Sequence, residues 1–216
     1  MGLGFRHKGL AKGSTMAGLL SNFRNTMILS FVLALIMIAA YSQSPQGTSM
    51  VFWQAVFRWM HVVFGILWIG LLYYFNFVQI RKMPDIPAEL KPAVSKFIAP
   101  EALFWFRWAA AFTVLMGILL AGTRGYILGA LSLGATEGFA DKGHMLIGIG
   151  MWLGIIMAAN VWFVIWPNQK VALGMVEADA DAKAKAARMA MLFSRTNTLL
   201  SLPMLVAMTM HQTIFG

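Results

Sequence analysis

The chain contains no cysteine. That excludes disulfides, thiolate metal sites, iron–sulfur clusters and covalently attached c-type haem. Any bound cofactor must be held by histidine, methionine, carboxylate or packing. Charge is nearly as scarce, since only 12% of the 216 residues are Asp, Glu, Lys or Arg. A soluble domain of this length needs more polar surface than that. Acidic residues number 8 against 17 basic ones, giving a net charge of +9. The basic residues lie in the gaps between apolar blocks, with no aromatic-interleaved basic surface and no nucleic-acid motif, so nucleic acid is not an expected partner. The polar connecting segments are too short to form a large soluble domain.

What the chain has in abundance is apolar sequence: 59% of its residues are hydrophobic, in runs long enough to cross a bilayer. The reading is an all-α integral membrane protein with five transmembrane helices, at about 26–42, 57–80, 101–122, 144–166 and 195–214. The first run, "MILSFVLALIMIAAY", is short and follows a basic leader (1–25) in the manner of a signal-peptide core. It is read as a retained helix. The segment "PNQKVALGMVEADADAKAKAAR" combines alternating charge with strong helix formers and predicts a short surface helix before the fifth span. With the N-terminus cytoplasmic, that side carries thirteen Lys and Arg residues and the opposite loops carry two, Arg124 and Lys142. The positive-inside rule then places the N-terminus in and the C-terminus out, which in a bacterial inner membrane means the periplasm.

Histidine placement raises the functional question. His61, His144 and His211 belong to three different spans. At ~1.5 Å rise per residue they lie roughly 30, 34 and 24 Å above the cytoplasmic boundary. Intramembrane ionisable residues are costly and usually face a bundle interior or a site. An interfacial, merely solvated imidazole is the plain alternative for any one of them. The fourth histidine, His7, lies in the leader.

An internal repeat sharpens the pattern. "HVVFGILWIG" from His61 resembles "HMLIGIGMWLG" from His144, and Asn76 and Asn160 follow fifteen and sixteen residues after those histidines. "LFWFRWAAAFTVLMGILL" (103–120) echoes "MLFSRTNTLLSLPMLVAM" (191–208), aligning Arg107 with Arg195. Two tandem hairpins, 53–122 and 143–214, would build a four-helix membrane domain (53–216) with an approximate twofold axis along the membrane normal. His61 and His144 would then face one another. Gly65 and Gly148 lie four residues deeper on the same helix faces, where a missing side chain leaves room for a flat macrocycle. Haem b ligated by the His61–His144 pair is the expectation, with Arg58 pairing a propionate and His211 replacing a ligand or bonding a propionate. Close helix packing is the alternative use of the glycines. Copper is the weaker candidate: Met60, Met145 and Met210 adjoin the histidines, but neighbouring positions point to different faces.

A second polar set, Glu101, Arg107, Arg195 and Asn197, lies near the cytoplasmic ends of spans three and five, with Asn76 and Asn160 deeper or level. Snorkelling and helix-end pairing explain it most simply; the functional alternative is a site between the hairpins for an anionic or quinone-like molecule, with a lipid or a quinone as the partner. Pro203 would kink span five there. Trp53, Trp59, Trp166, Tyr41 and Tyr126 read as an interfacial aromatic belt without chemistry.

The stretches "HVVFGILWIGLLYYFNFVQ", "PEALFWFRWAAAFT" and "SRTNTLLSLPMLVAM" resemble the membrane part of the bacterial urate oxidase (urate hydroxylase) family coupled to cytochrome c. The resemblance covers most of residues 53–210. More distantly, the His61 helix resembles those of membrane protoporphyrinogen oxidases and copper-resistance membrane proteins. The resemblance implies a membrane redox protein passing electrons toward a cytochrome c, with His61, Arg107 and Arg195 at the family's motif positions. Full-length family members add membrane segments and a C-terminal cytochrome c domain with a CxxCH motif, and this sequence has neither. The expectation is therefore a haem b electron-transfer or accessory subunit of a respiratory or oxidase complex, partnered by other membrane subunits. A cofactor-free scaffold and a urate-oxidase-like oxidoreductase are the alternatives.

Overall fold

The computed structural model describes residues 15–45 and 47–215, which are helical and contain no strand. Arg6, His7, Lys8 and Lys12 of the leader lie outside the described residues. Two compact units divide the chain, Met1–Phe52 and Trp53–Gly216. In the first, a short α1 (Thr15–Leu20) precedes α2 (Phe23–Ser42). Asn22 caps α2, its side chain accepting from the Asn25 N–H at 3.3 Å. No residue of α2 is buried, and Met27, Phe31, Leu35 and Ile36 are all exposed. A helix apolar all round matches lipid, not water.

The second unit contains most of α3 (Met50–Asp85), then α4 (Lys91–Thr123), α5 (Ile127–Leu131), α6 (Lys142–Ala172) and α7 (Ala180–Ile214). Among the described residues four helices are long and apolar enough to cross a membrane: α2, α3, α4 and α6. The expected surface helix and fifth span are one continuous 35-residue helix, α7, which runs through Pro203 without a break. Its buried face carries Ser194, Asn197, Ser201 and His211. Asp181, Lys183, Lys185, Arg188 and Arg195 in its first half, together with those polar residues, make α7 less apolar than the other four.

One core joins four helices. Trp68, Leu72 and Phe75 of α3 pack with Leu103, Phe106 and Ala110 of α4, Met157, Val161 and Ile165 of α6, and Met204 of α7. In lipid, helix association depends on close packing and interhelical hydrogen bonds more than on the hydrophobic effect, and both are present. Asn76 donates to Ser194 Oγ at 2.8 Å, and the Tyr73 and Ser201 hydroxyls lie 3.0 Å apart. Asn160 donates to Asn197 Oδ1, and Asn197 donates to the Met157 carbonyl, both at 2.9 Å. The two asparagines that match in the repeat thus both hold α7. Each also sits in a π-turn, Tyr74–Gln79 or Asn160–Ile165. Such wider turns often mark functional sites.

Gly148 has a packing role. A Cβ there would fall on the Ala130 main chain, so α5 lies directly against α6 at this point. Gly65 is looser: a Cβ there would meet only Thr113 Cγ2, at 3.8 Å. Gly148→Ala should therefore destabilise the protein by ~1–3 kcal/mol through overpacking. Gly154→Ala, where a Cβ meets nothing within 4 Å, should be close to neutral. Thermal unfolding of both variants in detergent checks the contrast.

Candidate functional site

His61 lies on α3, half-buried, with its Nδ1 2.7 Å from the Thr113 carbonyl of α4. A carbonyl only accepts, so Nδ1 carries the proton and the neutral ring keeps its lone pair on Nε2. Gly117 makes this approach feasible, because a Cβ there would sit 3.0 Å from His61 Cε1 and Nδ1. Thr113 lies one turn before Gly117, so the imidazole presents its Nδ1–Cε1 edge to α4. A second sphere of this kind, an Nδ1–H fixed on a carbonyl, is what orients a histidine that ligates metal through Nε2.

His144 occupies the first turn of α6. Asp141 caps that helix, its Oδ1 accepting from the His144 N–H at 2.9 Å. The His144 Nδ1 meets Glu137 Oε2 at 2.8 Å and Oε1 at 2.9 Å, and lies 3.6 Å from Asp141 Oδ2. Glu137 reaches back over Gly129 because the loop between α5 and α6 turns tightly, with left-handed backbone at Leu133, Gly134, Gly138 and Phe139. Glycine carries that conformation without strain at two of these positions.

His211, near the end of α7, is buried, and its Nδ1 has no hydrogen-bond partner. Tyr126 brings it together with His144: ring centroids are 5.6 Å apart for Tyr126–His144 and 6.1 Å for Tyr126–His211. These three residues, with Arg124, Asp141 and Phe215, line an open pocket of about 240 Å³. Burial pushes the Tyr126 phenol above its ordinary pKa, while Arg124 and Arg58 pull it back. The backbone N–H of His144 holds the Asp141 carboxyl below its usual range.

The structure therefore brings His144 and His211 to one pocket, while His61 and Arg58 are not among its lining residues. The space beside Gly148 is taken by Ala130, so no slot for a flat ring opens there. The inner polar set does not converge. Glu101 accepts from Trp105 Nε1 at 2.8 Å, Arg107 stacks 3.4 Å over the Trp166 ring, Arg195 is exposed, and Asn197 is bound by Asn160. Among the described residues no hydrogen bond or ion pair links Glu101, Arg107 and Arg195. Tyr126, read from sequence as interfacial, is central to the pocket. Glu137, Asp141, Arg124 and Phe215 were also missed. Asp141 was detectable as an N-cap three residues before His144, whereas Glu137 is seven residues away across a turn and carries no periodic signal.

Two titrations follow. The absorbance difference between wild type and Tyr126→Phe should show this phenol ionising above pH ~10, and Arg124→Ala should move the transition higher still by removing a cation that favours phenolate. Asp141 has a depressed folded-state pKa, so its charge contributes stability above the unfolded value of ~3.9 that is lost as pH falls through the folded one. Asp141→Asn retains the cap and should flatten the acid limb of a stability-against-pH curve.

Residues 123–214 match the family model described as Urate oxidase N-terminal. The match contains Arg124, Tyr126, Glu137, Asp141, His144 and His211, together with the stretch "SRTNTLLSLPMLVAM". No curated protein and no solved structure matches the chain. Over this segment, which holds nearly the whole pocket, the chain is similar to urate-oxidase-related proteins.

Proposed function

We propose that this chain is a membrane-embedded oxidoreductase subunit that carries electrons at the α3–α4 contact through haem b. The observation that carries the reading is the His61 side chain, with Nδ1–H held by the Thr113 carbonyl and the Nε2 lone pair left for a ligand. That donor set fits an axial ligand of iron porphyrin, whose chemistry when bound is reversible one-electron transfer. Arg58, one turn along α3, would pair with a propionate. His144 is committed to Glu137 and lacks the neighbouring space, so the haem reading rests on His61. The five-span topology with the N-terminus cytoplasmic and the C-terminus periplasmic, the paired-hairpin bundle, the inner-membrane location, and cytochrome c or other redox subunits as partners belong to the same proposal. The Lys and Arg distribution and the similarity to urate-oxidase-related proteins support it.

A second reading, direct oxidation of a purine-like substrate, is favoured by a specific observation. Arg124, two imidazoles and the Tyr126 and Phe215 rings surround one pocket inside or beside the matched segment. A flat anionic heterocycle would find stacking faces and a cation there.

The purified full-length protein should show a reduced-minus-oxidised b-type haem spectrum that is lost in His61→Ala and retained in His144→Ala. A folded wild-type protein without haem after expression with haem supplied would overturn the electron-carrier reading. Turnover of urate with an added electron acceptor would support the second.

A further inference from the structure

We propose that Glu137, Asp141 and His144 form a binding site for a divalent transition-metal ion at the mouth of the Tyr126 pocket. The site is separate from the haem reading, which rests on His61. One ligand atom from each of the three residues can be chosen so that all lie within 4.8 Å of one another. The His144 Nδ1 is 2.8 Å from Glu137 Oε2 and 3.6 Å from Asp141 Oδ2. With metal–ligand bonds of about 2.0–2.2 Å, atoms on one ion lie roughly 3–3.6 Å apart. The cluster is thus already near the spacing that a shared ion imposes, with small adjustments.

The surroundings favour a ligand site over a surface ion pair. Gly129 supplies the room: a Cβ there would fall 2.6 Å from Glu137 Oε1 and 2.8 Å from His144 Nδ1. His211 is an independent pointer. Its side chain is buried to 6% exposure, its Nδ1 has no partner, and it lines the pocket that Asp141 and His144 also line. An unsatisfied imidazole nitrogen in such a place costs free energy unless something in the pocket bonds to it. A water or small ligand carried on the ion's open position supplies that partner. Three protein ligands with a position left open is the pattern of reactive, not structural, metal sites.

One imidazole and two carboxylates select by chemistry. The set suits Zn²⁺, Mn²⁺ or Fe²⁺; the absence of thiolate and thioether ligands disfavours Cu⁺, and the imidazole disfavours Ca²⁺. The two carboxylates offset the positive charge of Arg124 and Lys142 nearby, the first lining the pocket and the second following Asp141 in sequence.

The test uses full-length protein in detergent, stripped with chelator and titrated with Co²⁺, then with Zn²⁺ in competition. Wild type should take up one equivalent of Co²⁺ with visible d–d bands, and Zn²⁺ should raise its Tm. Glu137→Gln and Asp141→Asn should each weaken Co²⁺ binding by at least the ~10–100-fold that even lost outer ligands cost. Asn retains the helix cap and Gln still bonds the histidine, so both variants should fold, as circular dichroism will verify. His61→Ala should leave Co²⁺ uptake unchanged whatever happens to haem. Absence of Co²⁺ uptake by folded wild type, or unchanged affinity in the Glu137→Gln/Asp141→Asn double variant, would overturn the site and leave an ion pair.

Discussion

The hydrogen bonds between Asn160 and Asn197, continued from Asn197 to the Met157 carbonyl, anchor α7 to α6. Asn197 is fully buried, so its amide must find partners inside the protein or incur the cost of an unsatisfied group. That requirement fixes both the rotation and the height of α7. From Asn197, His211 lies fourteen residues further along the same helix, about 21 Å at 1.5 Å per residue. Clamping Asn197 therefore determines where His211 arrives. The second clamp, Asn76 to Ser194 with Tyr73 beside Ser201, holds the same helix from α3. Polar side chains on α7 lower its apolar character and at the same time give it a unique position.

Glycines provide the complementary device, and they serve three different ends. Gly148 admits the Ala130 main chain and presses α5 onto α6. Gly117 admits an imidazole, giving His61 access to a carbonyl of the neighbouring helix. Gly129 admits the Glu137 carboxylate against His144. Identical residue chemistry yields helix packing, ring orientation and a polar cluster, depending only on what approaches. Gly65 and Gly148 match in the repeat, yet their neighbours differ: a side-chain methyl in one case and a backbone carbonyl in the other. The sequence likeness between the two stretches therefore does not carry over to what these glycines meet.

The three histidines of the second unit differ in their partners. His61 bonds a neutral carbonyl, His144 a carboxylate, and His211 has an Nδ1 without a partner. A carbonyl orients an imidazole without adding charge, whereas a carboxylate brings a formal charge against the ring. Two imidazoles beside a half-buried phenol, with a guanidinium in the lining, create a polar pocket at the end of an apolar core.

The sequence alone was enough to establish the helical class, the apolar runs behind α2, α3, α4 and α6, and the unusual histidines. Hydropathy and the 3.6-residue period are local properties, and each apolar run could be read without knowing its neighbours. The matched asparagines were visible for the same reason. What it could not supply was the approach of one element to another. Whether Gly148 faces a macrocycle or a carbonyl, whether Arg107 meets a ligand or the Trp166 ring, and whether Glu137 folds back to His144 depend on distances across turns and between helices. Those distances are set by the amide clamps on α7 and the left-handed turns before α6. Side chains far apart or irregularly spaced in the chain meet only through the tertiary fold, because no local period relates them.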